Sequence, residues 1–282
     1  MEIRKVGVVG LGTMGAGIAQ VSIQAGYETV GREISAELGE RGRTTIERYL
    51  GRGVEKGRMT AADRDAAAGR LSLTTELADL ADCDLVVEAV LEELDLKREV
   101  FAELDRITRP DAVLATNTSA LSVREIAAAT ERPQRVVGMH FFNPAPVLPL
   151  VEIVRAPESS EHAVQAAYEW ARGAGKQPVV CNDTPGFIVN RILIPLLNDC
   201  VRVLDEAEVS PEDVDRAMTN GAGWPLGPCA LLDLIGIDVH VHASQALHAK
   251  LGEERMAPPD RLVEMQAQGR LGRKSGAGFF EY

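Results

Sequence analysis

The stretch KVGVVGLGTMGAGIAQ, residues Lys5–Gln20, carries the strongest indication of the fold. Its first five residues form a short Val-rich run typical of a buried strand, and after Gly10 the apolar residues follow helical spacing. A second short strand is predicted at Glu28–Arg32. Strand, glycine-rich turn, helix and strand together predict a β-α-β unit of the dinucleotide-binding type.

The turn between the first strand and the first helix has the pattern GxGxxG. Gly10 permits a tight turn, Gly12 lets the backbone approach a pyrophosphate, and Gly15 lets the helix pack closely on the strand. The helix N-terminus adds free N–H groups and a partial positive charge. A glycine-rich turn without a ligand is the alternative, which this context disfavours. We predict that a nicotinamide cofactor contacts the whole turn: Gly10, Leu11, Gly12, Thr13, Met14 and Gly15.

The choice between NAD and NADP rests on the stretch GYETVGREIS, residues Gly26–Ser35. An acid at the end of the second strand favours the ribose hydroxyls of NAD, and Glu33 stands there. An Arg nearby accommodates the 2′-phosphate of NADP, and Arg32 precedes Glu33. Because side chains alternate along a strand, Arg32 should point to the other face. The sequence therefore predicts NAD, with NADP as the alternative.

Strands and helices alternate along the first two thirds of the chain, which predicts a mostly parallel sheet covered on both faces. After Cys181 only helical patterns follow, and the segment from Asn182 reads as helical throughout, with Pro185 in the first turn. We predict an α/β Rossmann-type dinucleotide-binding domain over residues 1–182. An all-α domain over residues 183–282 should follow it.

The composition excludes several classes of protein. A net charge of −12 argues against nucleic-acid binding, and no apolar run approaches the length of about 20 residues that a membrane span needs. The start, Met1–Lys5, has no signal-peptide layout. Four scattered cysteines indicate free thiols and a reducing, cytoplasmic location rather than disulfides.

One basic stretch stands out in this acidic chain. Between Arg41 and Arg58 there are six basic residues and two acids, Glu47 and Glu55, a local net charge of +4. Such a stretch indicates either an anion site or a solvated helix face, and charge alone favours the solvated face.

Candidate catalytic residues lie in three segments, TNTSALS, GMHFFNPAPVLPLVEIV and DTPGFIVNR. His140 ends one β-rich run, and Glu152 lies in the next. Folding the second run back beside the first brings Glu152 toward His140, and a His paired with a carboxylate is a general acid/base. Ser119 and Asn190 could add hydrogen bonds to a substrate oxygen. Spacing alone favours the alternative, a structural histidine that only forms hydrogen bonds.

Taken together, the motifs resemble the 3-hydroxyacyl-CoA dehydrogenase family, particularly its bacterial 3-hydroxybutyryl-CoA dehydrogenases. The resemblance runs essentially end to end, through GLGTMGAGIAQ, VVEAVLEELDLKREVF, TNTSALS, GMHFFNPAPV, VEIV, DTPGFIVNR, GAGWPLGP and GRLGRKSGAGFFEY. It implies oxidation of a short-chain 3-hydroxyacyl-CoA, or reduction of the 3-oxoacyl-CoA, without a metal. It also implies a homodimer formed through the helical domain.

The resemblance assigns roles residue by residue. It implies that His140 exchanges a proton with the substrate hydroxyl, that Glu152 orients His140, and that Ser119 and Asn190 hold the substrate. The positions that it places along the nicotinamide are Glu92, Lys97, Asn117, Ser119, Asn143 and Lys274. Lys56 matches a lysine that contacts CoA, so an anion site becomes the favoured interpretation of the basic stretch.

The chain departs from the family pattern at a few positions. Glu33 stands where Asp is usual, and Gly31 where a larger apolar residue is usual, so the ribose loop is expected to sit differently. Three alternatives to the CoA substrate remain: the same reaction on a carrier-protein thioester, oxidation of a free hydroxy acid, and a non-catalytic structural relative.

Overall fold

The computed structural model describes residues 3–282, so Met1 and Glu2 of the predicted leaderless start lie outside the described residues. The chain divides into two compact units, Met1–Thr184 and Pro185–Tyr282. The first is an α/β unit and the second is helical, which confirms the predicted fold class. No helix within residues 3–282 combines the length and apolar character needed to cross a bilayer.

The first unit contains eight strands and six α-helices among its described residues. In chain order they are β1 (Lys5–Val9), α1 (Thr13–Gln24), β2 (Glu28–Arg32), α2 (Ala36–Glu55), α3 (Ala61–Ala68), β3 (Leu71–Thr74), β4 (Leu85–Glu88), α4 (Leu94–Ile107), β5 (Val113–Thr116), α5 (Val123–Ala127), β6 (Val136–Phe141), β7 (Leu150–Arg155), α6 (Glu161–Gly173) and β8 (Gln177–Asn182). The sequence predicted seven of these strands and missed β3, because its four residues, LSLT, alternate polar and apolar over too short a run.

All eight strands form one sheet in the order β3-β2-β1-β4-β5-β6-β7-β8. The first six follow the Rossmann order, in which the strand order, not the strand direction, reverses between β1 and β4. In such sheets ligands bind at this switch point, outside the carboxyl ends of the strands. Only the pair β6–β7 is antiparallel, and it aligns His140 directly with Glu152. The fold therefore places the glycine-rich turn and the His–Glu pair on one sheet.

Leu11, in the glycine-rich turn, packs between two glycines. A Cβ on Gly31 of β2 would lie 2.7 Å from a Leu11 methyl, and a Cβ on Gly42 of α2 would lie 2.7 Å from the Leu11 Cβ. Leu11 is 4% exposed. The space that a larger residue at position 31 needs is thus filled by Leu11, which gives a packing reason for Gly31.

The second unit consists of five α-helices within its described residues: α7 (Val189–Glu206), α8 (Pro211–Gly221), α9 (Pro228–Ile235), α10 (Ile237–Leu251) and α11 (Asp260–Ala267). The prediction that the segment is helical throughout from Asn182 was wrong. Gly186 and Phe187 have φ values of 79° and 48°, and this left-handed backbone cannot continue into a right-handed helix. The helix therefore begins at Val189.

Two carboxylates, one half-buried and one fully buried, organise the second unit. Asp215 accepts hydrogen bonds from the backbone N–H groups of Cys229 and Ala230, at 2.7 and 3.0 Å, and so caps the start of α9. Asp233, 1% exposed, accepts from the N–H groups of Phe279 and Phe280, at 2.8 and 2.9 Å. These bonds fix the C-terminal residues against α9.

All four cysteines are free thiols. Burial raises the pKa of Cys83 to about 12 and that of Cys181 to about 11, and it also raises the pKa values of Cys200 and Cys229. These thiols are protonated at neutral pH.

A buried polar cluster joins α7, α10 and the segment after α10. His240 Nε2 donates to Asn198 Oδ1 at 2.8 Å, and Asn198 Nδ2 donates to Ser244 Oγ at 2.8 Å and to Met256 O at 3.3 Å. His240 is 3% exposed, and burial lowers its pKa from 6.5 to about 4. The folded unit therefore holds His240 neutral.

Neutral His240 predicts acid destabilisation. In the unfolded chain His240 binds a proton near its ordinary pKa, whereas in the folded chain it does not until about pH 4. The free energy of unfolding should therefore fall as the pH drops, by about 2 kcal/mol between pH 6.5 and 5. Chemical denaturation at both pH values measures the loss. His240→Gln should reduce this loss, and the control His242→Gln, an exposed position on α10, should retain it.

Candidate active site

The glycine-rich turn is as tight as its pattern predicts. Gly10 has φ 86°, and a Cβ on Gly15 would lie 1.7 Å from the Gly10 carbonyl oxygen, so only glycine fits there. A Cβ on Gly12 would meet no atom within 4 Å. Gly12 is the N-cap of α1 with no side-chain cap, and no acid stands in the first turn of that helix. The free helix N-terminus and the space above Gly12 fit the pyrophosphate of a dinucleotide.

Glu33 lies directly against this turn. Its Oε1 accepts a hydrogen bond from the Leu11 N–H at 2.6 Å, and its Oε2 accepts from the Ile34 N–H at 3.0 Å. Arg32 turns toward the neighbouring outer strand β3, where its Nε donates to Thr75 O, just after that strand, at 3.1 Å. The carboxylate, rather than the guanidinium, therefore faces the glycine-rich turn.

A cavity of about 660 Å³ opens beside the turn. Leu11, Gly12, Thr13 and Glu33 line one side of it, and the loop from Asn143 to Val147 lines another. The basic face of α2 and the residues that follow complete the wall with Arg41, Arg48, Tyr49, Arg52, Lys56 and Arg58. The structure thus brings Lys56 and Asn143 to the cavity that Glu33 lines. The positive charge on this wall suits an anionic ligand.

The His–Glu pair lies at the end of the antiparallel strands. His140 Nδ1 is 2.7 Å from Glu152 Oε2, and His140 Nε2 is 3.1 Å from Ser119 Oγ. Glu152 is 0% exposed and His140 is 4% exposed. Because a carboxylate only accepts, Nδ1 carries the hydrogen, and Nε2 is left to accept from the serine hydroxyl. This arrangement can act as a general base with a fixed tautomer.

Asn117 and Glu92 hold the strand ends around this pair. Asn117 Oδ1 accepts from the Phe141 N–H at 2.9 Å and so ties the end of β5 to β6. Glu92 Oε1 accepts from Thr118 Oγ1 at 2.6 Å and from the Ser119 and Ala120 N–H groups at 2.8 and 2.9 Å. The Ser119 loop is therefore fastened by a single carboxylate oxygen.

Lys97 is buried, although the resemblance places it along the nicotinamide. Its side chain is 1% exposed, and its Nζ lies 2.6 Å from Glu88 Oε1 and 3.4 Å from Glu92 Oε2. Burial acts to raise the pKa of Glu92, but the Lys97 charge and the hydrogen bonds from Thr118, Ala120 and Ser119 outweigh burial and lower that pKa. Glu88 was not predicted as a site residue. The sequence marks it only as an acid at the end of the apolar run LVVE.

Two predicted site residues belong to the helical unit. Asn190 is half-buried in the first turn of α7. Lys274 Nζ forms an ion pair with both carboxylate oxygens of Asp238, at 2.5 and 2.6 Å. Within residues 3–282 no group of three or more His, Cys, Asp or Glu side chains is arranged to hold a metal ion.

The fold and this site define a nucleotide-dependent dehydrogenase. Residues 5–184 match the model of the 3-hydroxyacyl-CoA dehydrogenase NAD binding domain, and residues 186–282 match that of the C-terminal domain of the same family. The chain belongs to the 3-hydroxyacyl-CoA dehydrogenase family, which confirms the resemblance of its motifs. The first unit is therefore an NAD-binding domain.

Relatives of this family are similar along the whole chain. A 3-hydroxybutyryl-CoA dehydrogenase of Mycobacterium tuberculosis is 46% identical over 282 residues, covering 99% of each chain. A probable 3-hydroxybutyryl-CoA dehydrogenase of Deinococcus radiodurans is 42% identical and covers 99% of this chain and 100% of its own. The crystal structure of (S)-3-hydroxybutyryl-CoA dehydrogenase from Ralstonia eutropha has a TM-score of 0.96 at 39% identity, covering 100% of this chain and 99% of that one.

Alanine at two glycines should separate folding from cofactor binding. Gly12→Ala should cost no more than about 1 kcal/mol of stability, because its Cβ meets open space and alanine is only a poorer N-cap than glycine. It should weaken NADH binding at least about tenfold, because the methyl group occupies the approach to the pyrophosphate. Gly15→Ala should cost about 3 kcal/mol of stability, because its Cβ overlaps a backbone oxygen. Denaturation curves and NADH fluorescence titrations measure both; equal stability of the two variants would contradict this account.

Proposed function

We propose that this protein interconverts a short-chain 3-hydroxyacyl-CoA, of the 3-hydroxybutyryl-CoA class, and the corresponding 3-oxoacyl-CoA. The observation that carries this proposal is the buried His140–Glu152 pair at 2.7 Å, with Ser119 on the other imidazole nitrogen. Full-length relatives named 3-hydroxybutyryl-CoA dehydrogenase support the substrate class.

The proton path follows from the tautomer of His140. In oxidation, Nε2 takes the proton of the substrate 3-hydroxyl as that oxygen becomes a carbonyl, and in reduction Nε2 returns the proton. Bound NAD supplies the acceptor for the hydride that leaves C3. Glu152 keeps the proton on Nδ1 and stabilises the positive imidazolium that forms. In the free protein the Ser119 hydroxyl donates to Nε2 at 3.1 Å; with substrate bound, that hydrogen turns to the reacting oxygen and leaves Nε2 open to the substrate proton.

The remaining site residues hold the two ligands. Asn190 helps to hold the reacting carbonyl, and Lys56 holds the anionic CoA moiety, supported by its place on the cavity wall. The cofactor contacts proposed beyond the glycine-rich turn are Glu33, Glu92, Lys97, Asn117, Ser119, Asn143 and Lys274. Burial of Lys97 supports an indirect contribution from that residue.

We also propose how the chain is organised in the cell. Residues 1–182 bind the cofactor, and residues 183–282 bind substrate and form a homodimer. Exposed apolar residues of the helical unit support an interface: Ile192 of α7, Leu234 of α9 and Val239 of α10. Light scattering should give the mass of a dimer at micromolar concentration. Four free thiols support a cytoplasmic location.

Replacing the general base tests the chemistry. His140→Gln should lower kcat about a hundredfold or more, the scale of lost general acid–base catalysis, and leave NADH affinity nearly unchanged. The matched control is His162→Gln on the exposed face of α6, which should retain full activity. Turnover in His140→Gln close to the parent value would contradict the role given to His140.

Oxidation of NADH and of NADPH, measured in parallel with acetoacetyl-CoA, tests both the reaction and the cofactor. Like charges about 4 Å apart near a protein surface repel by about 4 kcal/mol, so Glu33 should disfavour the 2′-phosphate of NADPH strongly. We expect kcat/KM with NADH to exceed kcat/KM with NADPH at least about tenfold. A tenfold ratio corresponds to about 1.4 kcal/mol, which is well below the full repulsion. Glu33→Gln should reduce the preference for NADH over NADPH. Arg32→Ala should leave this preference unchanged, because the Arg32 guanidinium is hydrogen-bonded to Thr75 O and does not face the glycine-rich turn. Faster turnover of NADPH would reverse the assignment.

The same assay separates the alternative substrates. A strong preference for the carrier-protein thioester over the CoA thioester would assign the basic face of α2 to a carrier protein. Activity on free 3-hydroxy acids alone would indicate a different dehydrogenase. Absence of activity with every acceptor, while NADH still binds, would identify a non-catalytic relative.

A further inference from the structure

A fully buried carboxylate lies one side chain away from the groups that hold the Ser119 loop. Glu88, the last residue of β4, is 0% exposed. Its Oε1 accepts from Lys97 Nζ at 2.6 Å and from the Val90 N–H at 2.7 Å, and its Oε2 accepts from Thr116 Oγ1 at 2.7 Å. Glu88 is therefore hydrogen-bonded on both oxygens and has no access to a ligand.

Lys97 links this buried carboxylate to an accessible one. Its ammonium group, 1% exposed, lies between Glu88 at 2.6 Å and Glu92 at 3.4 Å, so two negative charges share one positive charge. The Glu92 side chain is 39% exposed. The closer carboxylate sets the position of the ammonium group, and the ammonium group then sets the orientation of Glu92.

Glu92 in turn sets the position of Ser119. One oxygen of Glu92 accepts from the Thr118 hydroxyl and from the Ser119 and Ala120 N–H groups. The Ser119 hydroxyl lies 3.1 Å from His140 Nε2. A small rotation of Glu92 would therefore move the serine relative to the general base.

We propose that Glu88 is a positioning residue for this reaction, which acts through Lys97 and Glu92 to hold Ser119 against His140. The kinetic part of this inference rests on the proposed function. The geometric part does not, because it concerns only the order of the Ser119 loop in the free protein.

Glu88→Gln is the sharpest variant, because glutamine has the same size. Its carbonyl oxygen can still accept from Lys97 and Val90, and its amide can donate to the Thr116 hydroxyl. The substitution removes only the charge, so Lys97 is left to Glu92 as its single counter-ion and should move toward it. Glu92→Ala breaks the same chain at a half-exposed position, where truncation leaves no hole in the core.

The matched control is Asp84→Asn. Asp84 directly precedes β4, is 8% exposed, and accepts from the Arg4 and Lys5 N–H groups at 2.8 and 2.9 Å while paired with Arg109. It is a buried, ion-paired acid at the opposite end of the same strand. General destabilisation of β4 would appear in this variant as well, whereas a change at the Ser119 loop should not.

The first measurement is amide hydrogen exchange in the protein without ligands. In Glu88→Gln and in Glu92→Ala, the Ser119 and Ala120 amides should exchange about tenfold faster, because they lose a fixed acceptor, and in Asp84→Asn they should not. Unchanged exchange in Glu88→Gln would overturn the proposal, whatever Glu92→Ala shows, because Glu92 is the direct acceptor of both amides. This result stands even if the protein does not act on acetoacetyl-CoA, so failure of the proposed function remains distinguishable.

The second measurement is a double-mutant cycle on NADH oxidation. Glu88→Gln should lower kcat about tenfold with little change in the KM for NADH, because a shift of about 1 Å in a catalytic group can cost up to a hundredfold. In a Ser119→Ala background the same change should have no further effect on kcat, since the serine through which it acts is gone. Fully multiplicative losses, or a raised KM with unchanged kcat, would overturn the proposal. If Glu88→Gln fails to fold, Glu88→Asp, which keeps the charge but withdraws the carboxylate from Lys97, is used in the same exchange measurement and the same cycle.

Discussion

The pairing of His140 with Glu152 across two antiparallel strands is the contact on which the site depends. Residues directly opposite each other on such strands point to the same face of the sheet, which brings their side chains within hydrogen-bonding reach. A slip of one residue in this register would send Glu152 to the opposite face. It would also leave a buried carboxylate without its partner, which is strongly unfavourable in a protein interior. The antiparallel pairing of β6 with β7 is therefore what brings the imidazole and the carboxylate together.

The neighbouring parallel strands deliver the other polar groups to the same region. Strands β4, β5 and β6 lie side by side in the sheet. Glu88 ends the first, Ser119 follows the second by three residues, and His140 lies one residue before the end of the third. Parallel strands present their carboxyl ends along one edge, so groups far apart in sequence meet there. The result is a connected set of hydrogen bonds and ion pairs. It includes two buried carboxylates: Glu88 is paired with the ammonium group of Lys97, and Glu152 with the imidazole of His140.

The parts that the sequence revealed are those governed by local rules. The glycine-rich turn could be predicted because backbone crowding at Gly10 and Gly15 restricts these positions to glycine. The start of α7 could not, because residues 183–188 carry helix-forming signals while a positive φ at Phe187 breaks the helix. Glu88 was equally hidden. An acid at the end of an apolar strand has no partner that sequence spacing identifies, and its lysine lies nine residues away on another element.

The four thiols give the folded chain an unusual inertness toward electrophiles. Thiolate, rather than thiol, attacks alkylating reagents and disulfides, and at pH 7 a group with the pKa of Cys181, about 11, is ionised in about one molecule in ten thousand. Unfolding removes the burial that raises these values and returns the thiols to about 8.5. The labelling rates of Cys83 and Cys181 should then rise by more than a hundredfold, so labelling of the native chain reports how often it opens. Thiol labelling can therefore follow unfolding without an added probe, because each unit contains two native cysteines.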